Sequence, residues 1–227
     1  MASFPFDVVA FDLDGTLAET APDLTASLNH VLVELGRDPI AAESVRDMVG
    51  HGARALIRSG LAATGTVSET MVDEGFPIFL DYYGAHIADG SYAFPGVEKA
   101  LDELAARGVA LAICTNKVES LAVKFVDAMG WNDRFAAIIG GDTMPTNKPD
   151  PAPVREAIRR AGGGRAAFVG DSISDTGAAR NAGIPCVALT FGFRDRPAEE
   201  LGADALIDHF DQLIPALERL ALDRPGS

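Results

Sequence analysis

Asp12 and Asp14 flank a single leucine, with the apolar run Val8-Val9-Ala10-Phe11 before them and Gly15-Thr16 after. In extended chain, residues two apart project to the same side, roughly 7 Å from each other. Two carboxylates that close repel, so the pair asks for a cation or a shared proton. Polar residues close other apolar runs in the same way. Thr115 and Asn116 follow residues 109–114, and Asp171, Ser172 and Asp175 follow 166–169 and a glycine. Lys148 stands in a polar loop after residues 135–139. Carboxylates bind Mg²⁺ through hard oxygen, while a threonine and a lysine hold phosphate oxygens by hydrogen bond and charge. An aspartate that attacks phosphorus divides one slow displacement into two faster ones. Together these residue types suit metal-assisted chemistry on a phosphate.

For that chemistry to occur, one framework must bring the residues together. Val8-Val9-Ala10-Phe11 reads as a buried parallel strand. From Phe94-Pro95-Gly96 onward, strand patterns at 109–114, 135–139, 166–169, 185–189 and 205–207 alternate with helical ones, and the tail is helical. Such alternation predicts right-handed crossovers and a parallel sheet covered on both faces. Strand ends in such a sheet share one edge, where ligands bind. Between the first strand and residue 93 no strand pattern appears. Thr20-Ala21-Pro22-Asp23 reads as a helix start with a hydroxyl cap, and Leu24, Leu28, Val31, Leu32 and Leu35 recur at helical spacing until Gly36. Further helical runs carry Leu56, Ile57 and Leu61, then Val72, Phe76, Phe79 and Tyr83, with Pro77 as an expected kink. The predicted fold class is α/β: a Rossmann-like parallel-sheet core with helices on both faces, formed by residues 1–16 and 93–227. A small helical domain, residues 17–92, is expected as an insert after the first strand.

The net charge of −14 and the absence of Lys/Arg stripes exclude a nucleic-acid partner. An anionic small substrate stays compatible if a metal and a few local donors reverse the field. Apolar runs fall well short of the ~20 residues of a membrane span, so no membrane partner is expected. Cys114 and Cys186 lie in apolar runs and read as small buried thiols. With no basic region before Asp7, the expectation is a cytoplasmic protein, monomer or homodimer.

The segments Asp12-Leu13-Asp14-Gly15-Thr16, Thr115-Asn116, Lys148-Pro149 and Gly170-Asp171-Ser172-Ile173-Ser174-Asp175 occur in that order on the expected elements. On these motifs the sequence resembles the haloacid dehalogenase-like (HAD) superfamily of phosphatases over nearly its whole length, and residues 17–92 resemble that family's mobile cap. The resemblance implies Mg²⁺ on the Asp12 carboxylate, the Asp14 backbone carbonyl and Asp171, with Asp175 in support. It implies that Asp12 attacks phosphorus, and that Asp14 protonates the leaving oxygen and then activates water. Thr115, the Asn116 backbone N–H and Lys148 would hold the phosphoryl group, with Thr16 beside them. The dehalogenase branch lacks an acid at position 14 and is set aside.

Gly140-Gly141-Asp142-Thr143-Met144-Pro145, Lys148-Pro149-Asp150-Pro151-Ala152-Pro153, Val49-Gly50-His51-Gly52-Ala53-Arg54 and Thr190-Phe191-Gly192-Phe193 resemble the phosphoglycolate phosphatase branch. That implies a small phosphorylated substrate, 2-phosphoglycolate. Gly50 and Gly52 would let backbone approach it, and Arg54 and Lys117 are further substrate-binding candidates. His51 reads as an incidental loop histidine. Other readings stay open at this point: another small phosphate-ester hydrolase, a sugar phosphomutase, a receiver-like phosphoacceptor, or an interaction module on the same fold.

Overall fold

In the computed structural model, which describes residues 4–193 and 196–223, strand β1 (Val8–Phe11) is buried at every position. It lies inside a six-stranded parallel sheet, between β4 (Ala110–Cys114) and β6 (Ala166–Gly170), with Val8 opposite both Ala110 and Ala166. β5 (Ala137–Ile139) lies outside β4, while β7 (Cys186–Leu189) and β8 (Ala205–Ile207) continue beyond β6, giving the order β5-β4-β1-β6-β7-β8. All of these neighbours pair in parallel, as the strand–helix alternation predicts.

Alternation of side chains along the strands divides the core into two layers. Val9, Phe11, Leu111, Ile113 and Val169 join the apolar faces of α5 (Val97–Ala106), α6 (Glu119–Ala128) and α9 (Leu213–Asp223). Ala10, Ala112, Cys114 and Phe168 instead meet α7 (Pro151–Arg160) and α8 (Ile173–Ala182) through Val154, Ala157, Ala178 and Ala179. Of these strand residues only Phe168 is large. Helices on both faces leave the strand ends as the place where polar groups can gather.

The chain leaves the first strand through β2 (Ala18–Glu19), forms α1 (Ala21–Glu34), α2 (Ala42–Arg46), α3 (Ala53–Thr64) and α4 (Glu69–Ala85), and returns through β3 (Tyr92–Ala93). β2 and β3 pair antiparallel, Ala18 with Ala93 and Glu19 with Tyr92, so departure and return are tied together. The sequence pattern predicts neither these strands nor α2, because two to five residues carry no measurable period. α4 is a single helix through Pro77. Leu28, Val31, Leu32, Ile57, Val72 and Phe79 pack in the same apolar cluster as the α5 face of the sheet, and α4 meets α6.

One local expectation is corrected. Thr20 precedes α1, but its side chain does not cap that helix: its hydroxyl donates to Asp14 Oδ1 at 2.8 Å, while Glu19 Oε1 accepts the Ala21 N–H at 3.0 Å. Pro22 in the first turn already removes one amide that would need a cap. Cys114 and Cys186 are buried free thiols. Among the described residues no helix is long and apolar enough to cross a membrane.

Candidate active site

Asp12 extends the sheet by one residue, since its N–H donates to the Val169 carbonyl at 2.9 Å. Its carboxylate therefore leaves the edge of the sheet beside the loop that follows β6. Lys148 Nζ lies 2.9 Å from Asp12 Oδ1 and 2.6 Å from Asp175 Oδ1. Asp175 belongs to a capping box that starts α8: its Oδ2 accepts the N–H groups of Asp171 and Ser172 and the Ser172 hydroxyl. One side chain thus fixes both the post-β6 loop and Lys148. Asp171 accepts from the Thr16 hydroxyl at 2.6 Å and from the Phe193 N–H at 2.5 Å. Gly15 is required next to it. Its φ is +83°, and a Cβ there would lie 2.4 Å from Asp171 Oδ2.

The electrostatics of this cluster are unbalanced. Asp12, Asp171 and Asp175 each offer an oxygen within 4.8 Å of the others, against the single ammonium of Lys148. Burial pushes Asp12 up to about 6, opposed by Lys148 and reinforced by Asp175. Burial, then Asp175 and Asp12, hold Asp171 well above the ordinary carboxylate range. Burial works against the Lys148 ammonium, yet Asp12 and Asp175 outweigh it and keep the group charged. Asp12 Oδ1 is buried without a hydrogen-bond partner, because Lys148 reaches it as an ion pair without making a well-formed bond. Surplus buried negative charge, a buried carboxylate oxygen without a hydrogen bond and an all-oxygen donor set fit a hard divalent cation.

Asp14 is engaged elsewhere. Lys117 Nζ donates to both its oxygens, at 2.6 and 2.8 Å, and also to the Tyr83 hydroxyl at 2.8 Å. Tyr83 belongs to α4 and Lys117 follows β4, so this network ties the helical segment to the sheet edge. Asn116 makes a second tie: its side-chain amide donates to the Gly50 carbonyl at 3.0 Å and accepts from the Lys148 N–H at 3.1 Å. Gly52 lies close against the Asn116 carbonyl, where a Cβ would sit 3.0 Å from the oxygen. The Thr115 hydroxyl accepts from the Lys117 N–H.

Asp12, Asp14, Thr115, Asn116, Lys117, Gly50 and Gly52 line one cavity, closed on its other side by Leu24, Val49, Leu56, Phe79, Tyr83 and Leu121. It leaves about 40 Å³ for the centre of a water-sized sphere, room for a few waters. Lys148, Asp171 and Asp175 form the layer behind Asp12. Three expected contacts do not line the cavity, Lys148 among them. Thr16 is fully buried and supports Asp171 instead of facing a phosphate. Arg54 pairs with Asp73 on the outside of the helical segment, its guanidinium over the Phe76 ring. His51 is exposed, with its Nδ1 3.5 Å from the Ser174 hydroxyl. Helical spacing alone marks Tyr83 only as an apolar position. The available signal is chemical: a buried tyrosine hydroxyl usually needs a partner.

A parallel α/β sheet that gathers acids, a lysine and a threonine at one edge beneath an inserted helical segment defines a class of phosphate-handling hydrolases. The chain belongs to the haloacid dehalogenase-like hydrolase family, whose model matches residues 9–189. It is 42% identical over 221 residues to a phosphoglycolate phosphatase of Agrobacterium fabrum, covering 96% of this chain and 95% of the relative. It is 44% identical over 208 residues to the phosphoglycolate phosphatase of Caulobacter vibrioides, covering 89% and 86%. Among solved structures, a predicted phosphoglycolate phosphatase from Haemophilus somnus superposes with a TM-score of 0.87 at 30% identity, covering 93% of this chain and 97% of that one.

Proposed function

We propose that this chain is a Mg²⁺-dependent phosphatase that hydrolyses 2-phosphoglycolate to glycolate and phosphate. The observation that carries the reading is the buried Asp12–Lys148–Asp171 cluster, whose Asp12 lines, together with Asp14, a small and mostly apolar cavity. The names of the relatives supply the substrate.

In this reading Asp12 attacks phosphorus and becomes an aspartyl phosphate, which water then hydrolyses. Thr115 and the Asn116 backbone N–H offer donors to the transferring oxygens, and Lys148, behind Asp12, adds positive charge. Asp14 delivers a proton to the leaving oxygen and later takes one from the attacking water. Asp12, Asp171 and the Asp14 backbone would hold Mg²⁺, whose charge stabilises what develops on the phosphoryl oxygens. Asp175 acts behind them, since both its oxygens are already taken by Lys148 and the post-β6 loop. Residues 17–92 serve as a cap, with the 50–52 loop closing over the substrate and β2–β3 as the pivot. Two buried free thiols suit the reducing cytoplasm as its location.

The test is release of inorganic phosphate from a panel of small phosphate esters, with and without Mg²⁺. The expected result is Mg²⁺-dependent hydrolysis with the highest kcat/KM for 2-phosphoglycolate, lost in Asp12→Asn while the fold is kept. Undiminished release by that variant removes Asp12 as nucleophile, and indifference to 2-phosphoglycolate removes the substrate assignment.

A further inference from the structure

Lys117 is the one cation among the described residues lining the cavity, whose other ionisable groups there are Asp12, Asp14 and Tyr83. Its side chain is almost wholly buried, and the ammonium is placed by three elements at once. Asp14 takes two of its donors and the Tyr83 hydroxyl the third. The Tyr83 ring lies 4.7 Å and the Phe125 ring 5.8 Å from Nζ, so the charge stands against aromatic faces with little water near it. Lys148 is not available for the same purpose. It sits behind Asp12 and is taken up by Asp12 and Asp175. Arg54, the other cation among the substrate-binding candidates, is committed to Asp73 on the outside.

We propose that Lys117 is the specificity-determining residue of this site: it exchanges its Asp14 partner for the carboxylate of the bound substrate, so the cavity selects alkyl phosphates that carry a carboxylate. This rests on the phosphatase reading above. A carboxylate entering a space lined by Asp12 and Asp14 is repelled unless it meets a cation, and Lys117 is the cation within reach. In the structure Asp14 is clamped by Lys117 and Thr20. For Asp14 to turn toward a leaving oxygen, the ammonium needs a replacement anion, and the substrate carboxylate is one. Tyr83 holds the lysine in place throughout the exchange, and through it α4 takes part in reading the substrate. Esters without a carboxylate leave the Lys117–Asp14 pair intact and are discriminated against twice, in binding and in freeing Asp14.

The experiment compares kcat/KM for 2-phosphoglycolate, its carboxyl methyl ester and ethyl phosphate in the wild-type protein, Lys117→Met and Lys117→Arg, all with Mg²⁺. Wild type is expected to favour the free acid over the methyl ester. The preference falls by roughly 10- to 100-fold in Lys117→Met, as for loss of a charge-assisted hydrogen bond, and Lys117→Arg retains part of it. A uniform loss on all three substrates in Lys117→Met means that the lysine only supports Asp14 and overturns the assignment. Equal turnover of acid and methyl ester by wild type overturns it without any variant, which covers the case in which Lys117→Met does not fold. Wild-type protein that hydrolyses ethyl phosphate but neither glycolate ester contradicts carboxylate selection while leaving the phosphatase reading standing. Protein that hydrolyses none of the three removes the activity itself.

Discussion

Replacing Asp12 by Asn should make the metal-free protein more stable while abolishing its activity. In the structure the Asp12 carboxyl is buried beside Asp175 and Asp171, and its pKa rises from an ordinary 3.8 to about 6. A carboxyl whose pKa is raised by folding holds its proton more tightly in the native than in the unfolded state. Its contribution is therefore neutral below pH ~4, turns unfavourable as pH rises toward ~6, and is fully unfavourable above that. The step from 3.8 to about 6 corresponds to roughly 3 kcal/mol at pH 8. The amide of the variant carries no charge to desolvate, and Lys148 keeps its 2.6 Å contact with Asp175, so no buried ammonium is stranded. The expected gain in Asp12→Asn is about 1–3 kcal/mol at pH 8 with EDTA, or roughly 2–12 °C in Tm for a chain of this size. At pH 4.5 the gap should fall to about a third of its pH 8 value. Saturating Mg²⁺ should raise the wild type by mass action, and the variant by less. Urea or thermal denaturation at both pH values, with and without Mg²⁺, reads all of this. A variant no more stable than wild type at pH 8 in EDTA, or a gap that ignores pH, would refute the picture of a repulsive carboxylate cluster waiting for a cation.

Further expectations follow from the same contacts. Lys148→Met leaves Asp12 and Asp175 buried without their cation, and should destabilise by about 3 kcal/mol at pH 8, less at pH 5, with phosphate release lost; equal destabilisation at both pH values would count against it. Gly15→Ala must move either Asp171 or the Phe193 backbone, since the new Cβ meets them at 2.4 and 2.8 Å. A Mg²⁺ titration of its phosphate release should show half-saturation raised by about tenfold, as for a disturbed ligand support. Arg54→Ala breaks an exposed pair with Asp73, so kcat/KM for 2-phosphoglycolate should stay within about twofold, because such pairs are worth under about 1 kcal/mol. A larger fall would bring Arg54 back as a substrate ligand.

How far the sequence reaches into this site depends on the distance over which each fact is decided. That Val8–Phe11 is a strand, and that Asp12 leaves it at the edge, follow from four consecutive apolar residues and a following turn. That Thr115, Lys148 and Asp171 gather at the same edge follows from parallel topology, which the strand–helix alternation announces. What each side chain then holds is decided by neighbours far away in the chain. Thr16 and Asp171 are 155 residues apart, and the choice between a phosphate and that carboxylate is made by the turn at Gly15. Thr20 has the composition of a helix cap, yet Asp14 is a charged acceptor six residues away, and a hydrogen bond to charge outcompetes one to an amide. Arg54 and Lys117 are both cations near apolar stretches, and although Lys117 follows the Thr115-Asn116 pair, that neighbourhood does not say which of the two faces the cavity. The fold does, because α4 sets Asp73 against the first on the outside and Tyr83 against the second within. Local pattern therefore names the groups able to do the chemistry, while helix packing decides which cation faces the substrate. The specificity of this site is accordingly written in the contact between α4 and the end of β4, and changes there should alter substrate choice before they alter the hydrolysis itself.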